Sequence, residues 1–106
     1  MELNEIKKAV LESIDKYLPL EKTYVFLFGS RARGDFFRSS DYDIGLYNGE
    51  TVSLADIALI EGELEKYTIP VDVDFIDFSQ TDPDFKKISL SKIDLWNLPK
   101  TDLKLI

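Results

Sequence analysis

No cysteine and no histidine occur among the 106 residues, and arginine appears only three times, methionine and tryptophan once each. Without cysteine there can be no disulfide, thiolate nucleophile or thiolate zinc site. Without histidine, Ser-His-Asp and Cys-His systems and imidazole general bases are excluded too. No stretch is both apolar and long enough to span a membrane. The start, Met1-Glu2-Leu3-Asn4-Glu5, lacks the basic-then-apolar order of a secretory signal, so a cytoplasmic protein with no membrane partner is expected. What the chain has in quantity is acid: twelve Asp and eight Glu against ten Lys and three Arg, a net charge of -7. Long nucleic acid is gripped by basic surfaces, so this balance argues against such a partner and favours hard cations ligated by oxygen. The length fits one domain over residues 1–106.

Hydrophobic spacing orders the elements. Leu3, Ile6, Val10, Ile14 and Tyr17 recur every three or four residues, the face of a helix that Pro19 stops. Tyr24-Val25-Phe26-Leu27-Phe28 reads as a central strand covered on both faces and closed by Gly29. A polar, basic loop or short helix occupies Ser30 to Ser40. Asp41 to Tyr47 alternates, with Tyr42, Ile44 and Leu46 on one face and Asp41 and Asp43 on the other. Leu54 to Tyr67 has helical spacing, and Val71 to Asp77 alternates again. Asp82-Pro83 is an N-cap followed by proline, opening a helix through Phe85, Ile88 and Ile93 towards Trp96. The order α-β-(loop or short α)-β-α-β-α predicts an α/β (α+β) domain, one small mixed sheet with flanking helices.

Asp41 with Asp43, and Asp72 with Asp74, are acid pairs two residues apart on predicted strands. Such residues point the same way, with Cα atoms ~6.5 to 7 Å apart, so their carboxylates can converge on a metal ion. Crowded carboxylates repel, and a divalent cation relieves the repulsion; magnesium shared with substrate phosphates suits this ligand set. Two such ions serve in-line phosphoryl or nucleotidyl transfer. With so many Asp in the chain, each pair by itself is also what a solvated strand face or a helix cap would show. The intervening loop adds weight. Gly29-Ser30 follows a buried strand, where a glycine lets phosphate oxygens approach the main chain. Arg31, Arg33 and Arg38, every arginine in the chain, share that one loop, a concentration that suits an anion or the chain's own Asp35, Asp41 and Asp43.

Taken jointly, Phe28-Gly29-Ser30-Arg31-Ala32-Arg33-Gly34-Asp35, then Ser40-Asp41-Tyr42-Asp43-Ile44, then Val73-Asp74-Phe75-Ile76-Asp77-Phe78 resembles the minimal nucleotidyltransferase domain of the DNA polymerase β-like superfamily. The resemblance runs from about Leu3 to Trp96. It implies the nucleotidyltransferase fold, with Gly29 and Ser30 holding the nucleotide triphosphate and Arg33 assisting. It also implies that Asp41 and Asp43 bind two magnesium ions, and that a third acid orients or deprotonates the attacking hydroxyl. Asp74 is that acid by the Val-Asp-apolar-apolar-Asp run, with Asp72 the runner-up on the same face. Short members of this kind resemble antitoxins paired in hetero-oligomers with all-helical HEPN-type proteins, some receiving AMP from ATP. The implied activity is therefore magnesium-dependent transfer of AMP to a HEPN-type partner. The alternative is a silent module that neutralises its partner by contact alone. Phe36-Phe37-Arg38 departs from the pattern, being aromatic and basic where the family is polar or acidic; an adenine site, a partner contact and packing all remain open there.

Two other readings of Asp41 and Asp43 fail on spacing. A calcium loop needs glycine sixth and a carboxylate twelfth, where Gly45 is fifth and Val52 twelfth. A dehalogenase-type phosphatase carries its pair directly after the first apolar strand, whereas here that strand leads into Gly29-Ser30. Glu61, Glu63 and Glu65 read as a solvated helix face. Trp96 reads as a helix end packed on the sheet.

Overall fold

The computed structural model describes residues 1–105. Helix α1 (Leu3–Asp15) opens with a capping box between Glu2 and Glu5, and buries Ile6, Ala9, Val10, Ser13 and Ile14. Leu3, expected on that face, is exposed. A short 3-10 turn (Leu20–Lys22) leads into β1 (Tyr24–Phe28), followed by α2 (Ser30–Arg33), β2 (Tyr42–Tyr47), α3 (Leu54–Leu64), β3 (Val73–Asp77), α4 (Pro83–Ser89) and β4 (Asp94–Asn97). The first three strands fall where the apolar run and the two alternating runs place them, and the Asp82 side chain caps α4 with Pro83 at its first turn.

The C-terminal expectation needs correction. The helix that begins at Pro83 stops at Ser89, and Trp96 lies on a strand, not at a helix end. Strand β4 pairs antiparallel with β1, with a register irregularity between Val25 and Phe26. Four residues are too few for alternation to show, and Phe85, Ile88 and Ile93 continue a helical spacing past the true end. The Asn97 side chain pins the strand by donating to the Leu20 carbonyl (2.7 Å) and the Thr23 carbonyl (2.8 Å).

The mixed sheet has the order β3-β2-β1-β4. Strand β1 runs antiparallel to both its neighbours, and β2 lies parallel to β3, a pairing that needs a long crossover, supplied by α3. One face, including Val25, Leu27, Ile44, Leu46, Phe75 and Trp96, packs into a core with α1 and α3. The other carries Phe26, Phe28 and Phe78, ring against ring, with Phe85 of α4 on their flank. Gly45 is required on that face, because a Cβ there would overlap the Phe26 ring.

Glu63 is not part of a solvated face. It receives Lys16, just past α1, at 2.7 Å and Lys66 at 2.9 Å, and these contacts hold its carboxyl far below the usual range, at about 2. No helix among the described residues is long and apolar enough to cross a membrane.

Candidate active site

The acids gather where β1 ends and β2 and β3 begin. The burial of Tyr42, Ile44 and Leu46 against the helices turns Asp43 to the opposite face. Antiparallel pairing sets Phe28 across from Asp43, and parallel pairing sets Asp74 across from Asp43 on the far side. The register thus places Asp74, not Asp72, beside the second aspartate of the Asp-x-Asp pair. Asp72 stands just before β3, where its carbonyl accepts from the Tyr42 N–H at 2.9 Å and fastens the two strand ends together.

The carboxylates feel one another. Asp43 has its pKa raised, first by partial burial and then by the charges of Asp74 and Asp41, with Arg33 opposing. Asp74 is raised by burial first, and then by the neighbouring Asp41 and Asp72 carboxylates. Glu61 and Glu65 line the same open hollow of about 390 Å³ as Asp72 and Asp74, adding to the negative field. Among the described residues none of Asp41, Asp43 and Asp74 has a salt-bridge partner.

Gly29 closes the site from the β1 side. Its φ of 75° and ψ of -156° lie where essentially only glycine goes. A Cβ there would overlap the Asp43 carboxylate and approach its Cγ to 3.1 Å. Strand, turn and carboxylate are therefore fitted to a bare backbone, with Ser30 opening α2 directly behind.

The arginines divide their work. Arg33 is exposed and pairs with Asp35 at 3.3 Å, a surface contact of small value that an anion can displace. Arg31 does not face the acids: it donates to the carbonyls of Ser40 (3.0 Å) and Arg38 (3.1 Å). Of the two readings of the cluster, an anion or the chain's own acids, Arg33 follows the second in its contact with Asp35, and Arg31 follows neither. Phe36 takes the Arg31 guanidinium against its ring, so at that residue packing accounts for the aromatic departure; Phe37 is exposed.

No group of three His, Cys, Asp or Glu side chains among the described residues forms a ready-made metal cage. The donors nevertheless fit magnesium, which prefers one or two carboxylates plus substrate phosphates and water to an all-protein cage. Mutually repelling carboxylates without salt-bridge partners, set side by side at the ends of adjoining strands, are the donor chemistry it takes.

The mixed sheet with a glycine-serine turn after β1, and with acids paired across the next two strands, carries the residues on which the resemblance to a nucleotidyltransferase domain rests. The Polymerase beta, Nucleotidyltransferase family matches residues 12–95, and the chain belongs to that family. No curated protein sequence matches it. Among solved structures it is similar to a chain of a toxin-antitoxin complex with AMP-PNP, at 20% identity and TM-score 0.68, covering 85% of this chain and 71% of that one. It is also similar to a chain of the tri-AMPylated Shewanella oneidensis HEPN toxin in complex with MNT antitoxin, at 16% identity and TM-score 0.64, covering 88% and 70%. A putative nucleotidyltransferase from Sulfolobus solfataricus aligns at 24% identity and TM-score 0.53, covering 86% and 76%. The fold is that of the minimal nucleotidyltransferase domain.

Proposed function

We propose that this chain is a magnesium-dependent adenylyltransferase that moves AMP from ATP to a hydroxyl of an all-helical HEPN-type partner, as the antitoxin of a toxin-antitoxin pair in the cytoplasm. The observation that carries the reading is the β2–β3 register, which sets Asp74 across from Asp43, with the bare Gly29 backbone lying against Asp43 where no side chain would fit. The acceptor class rests on the fold shared with complexes that contain AMP-PNP or an AMPylated HEPN toxin.

Asp41, Asp43 and Asp74 would hold magnesium, which when bound neutralises triphosphate charge and polarises the attacked phosphorus. Gly29 leaves the main chain open to phosphate oxygens, and Ser30 adds a hydroxyl. Arg33 exchanges Asp35 for a phosphate, to which a guanidinium offers paired donors. Asp74 orients the acceptor hydroxyl and takes its proton as the oxygen attacks the α-phosphorus in line and the bond to the leaving pyrophosphate breaks. No histidine is needed.

The test mixes the chain with Mg-ATP labelled at the α-phosphate and with the helical partner encoded beside it. Label transferred to the partner by the wild type, and abolished in a folded Asp43→Asn, supports the reading. Partner neutralisation without labelling, equal in wild type and Asp43→Asn, replaces it with a module that acts by contact alone.

A further inference from the structure

Arg31 makes two of the side-chain hydrogen bonds that hold the segment between the Gly29-Ser30 turn and β2. Arg31, half-buried in α2, lies with its guanidinium 4.0 Å from the Tyr42 ring centroid and 4.7 Å from that of Phe36. Its Nε donates to the Ser40 carbonyl at 3.0 Å and its Nη2 to the Arg38 carbonyl at 3.1 Å. The loop's other hydrogen bonds close on itself or on α2: Asp35 N–H to the Ser30 carbonyl (3.2 Å), Ser40 N–H to the Phe37 carbonyl (3.0 Å), and Phe37 N–H to the Ser40 hydroxyl (2.9 Å). Both Arg31 hydrogen bonds stay within the loop, and its ring contact with Tyr42 links α2 to β2. The residues it reaches flank Asp41, since Ser40 precedes it and Tyr42 follows it, and Tyr42 in turn adjoins Asp43.

A guanidinium engaged in this way has its fork committed to main-chain carbonyls and its face to aromatic rings, which leaves little of it for a phosphate. We propose that Arg31 is a positioning residue: it fixes the Gly29-Ser30 turn against Asp41 and Asp43, so that phosphate and metal ligands are presented in one geometry. The proposal rests on the nucleotidyl-transfer reading above. Misplacing reacting groups by about 1 Å can cost on the order of 10²-fold in rate, so a clamp between the two halves of a site has consequences well beyond its own contacts.

Arg31→Lys keeps the charge and loses both the fork and the planar stack. Relative to wild type, the expected result is Mg-ATP binding weakened about tenfold and kcat for AMP transfer lowered along with it. Amide exchange over Asp35–Ser40 should be faster, with a melting temperature close to wild type. Tyr42→Phe retains the ring face and should match wild type in every readout. Phe36→Leu removes one ring at a half-exposed position, gives the same changes in smaller measure, and takes over as the deciding variant should Arg31→Lys not fold. Wild-type Mg-ATP affinity and loop exchange in the folded variant overturn the proposal, as does a Tyr42→Phe loss equal to that of Arg31→Lys. A wild-type chain that binds no Mg-ATP defeats the nucleotidyl-transfer reading itself, before any variant is compared.

Discussion

Gly29 is where backbone conformation and site chemistry meet, and Gly29→Ala separates them from ordinary stability effects. Two costs add. A non-glycine residue at φ 75°, ψ -156° pays ~1 to 3 kcal/mol for the backbone alone. The new methyl must also displace the Asp43 carboxylate, whose Cγ and Cβ would lie 3.1 and 3.3 Å from it. For a domain of this size each kcal/mol lowers the melting temperature by roughly 4 to 8 °C, so a loss on the order of 5 to 20 °C is expected. Gly34→Ala is the matched control. Its φ is 89° with ψ near 3°, so it pays a left-handed backbone cost of ~1 to 2 kcal/mol, but nothing lies within 4 Å of its Cβ position. Calorimetric melting and Mg-ATP titration of both variants should show two stability losses but only one loss of nucleotide binding, at Gly29. Equal binding in Gly29→Ala and Gly34→Ala, with both folded, would refute the claim that the turn is fitted to Asp43.

The acids carry a pH signature opposite to that of Glu63. Asp43 and Asp74 have folded pKa values above their unfolded ones, so the native state holds more protons; metal-free stability falls as pH rises through those raised values and stays low above them. Asp74→Asn should therefore raise the metal-free melting temperature at neutral pH while removing any stabilisation by added Mg²⁺, and a wild type that melts higher than the variant without metal contradicts this. Glu63, held at about 2, contributes stability that is present above its unfolded pKa and is lost as pH falls towards 2. Glu63→Gln should lower the neutral-pH melting temperature and flatten the curve between about pH 4.5 and 2, and high salt should shrink the difference because the pair lies at the surface; an unchanged acid limb sinks the assignment.

How much of this was legible beforehand depended on which residues had to alternate. Strand β1 is covered on both faces and reads as an unbroken apolar run. Strands β2 and β3 announce themselves because Tyr42, Ile44, Leu46 and Phe75 must face the helices while their neighbours do not. Strand β4 was hidden. Its one deeply buried side chain, Trp96, comes within helical reach of Ile93, and its place beside β1 depends on the Asn97 contacts with Leu20 and Thr23, which no local pattern encodes. Glu63 was misread for the same reason, since its partner Lys16 lies 47 residues away. The loop arginines were legible as a cluster but not by role. Charge patterning cannot distinguish a guanidinium that waits for a phosphate from one already spent on carbonyls and rings.

The choice between Asp72 and Asp74 shows how core packing determines chemistry here. Both lie on one face of a period-two strand, so alternation cannot separate them. The pairing of β2 with β3 does. Phe75 must enter the helical core beside Ile44, and with that pair fixed, Asp43 falls opposite Asp74. Slipping β3 by one residue would expose Phe75 and carry every aspartate of the strand to the wrong face, so the register is held by apolar burial and not by the mutually repelling acids. A slip of two would preserve the burial pattern and bring Asp72 opposite Asp43. It is opposed by the Tyr42 N–H to Asp72 carbonyl bond at one end of the pair and the Phe78 N–H to Leu46 carbonyl bond at the other, each 2.9 Å. The acids can therefore be set against one another because hydrophobic contacts and main-chain hydrogen bonds elsewhere in the sheet bear the cost of their repulsion, which a bound cation lowers.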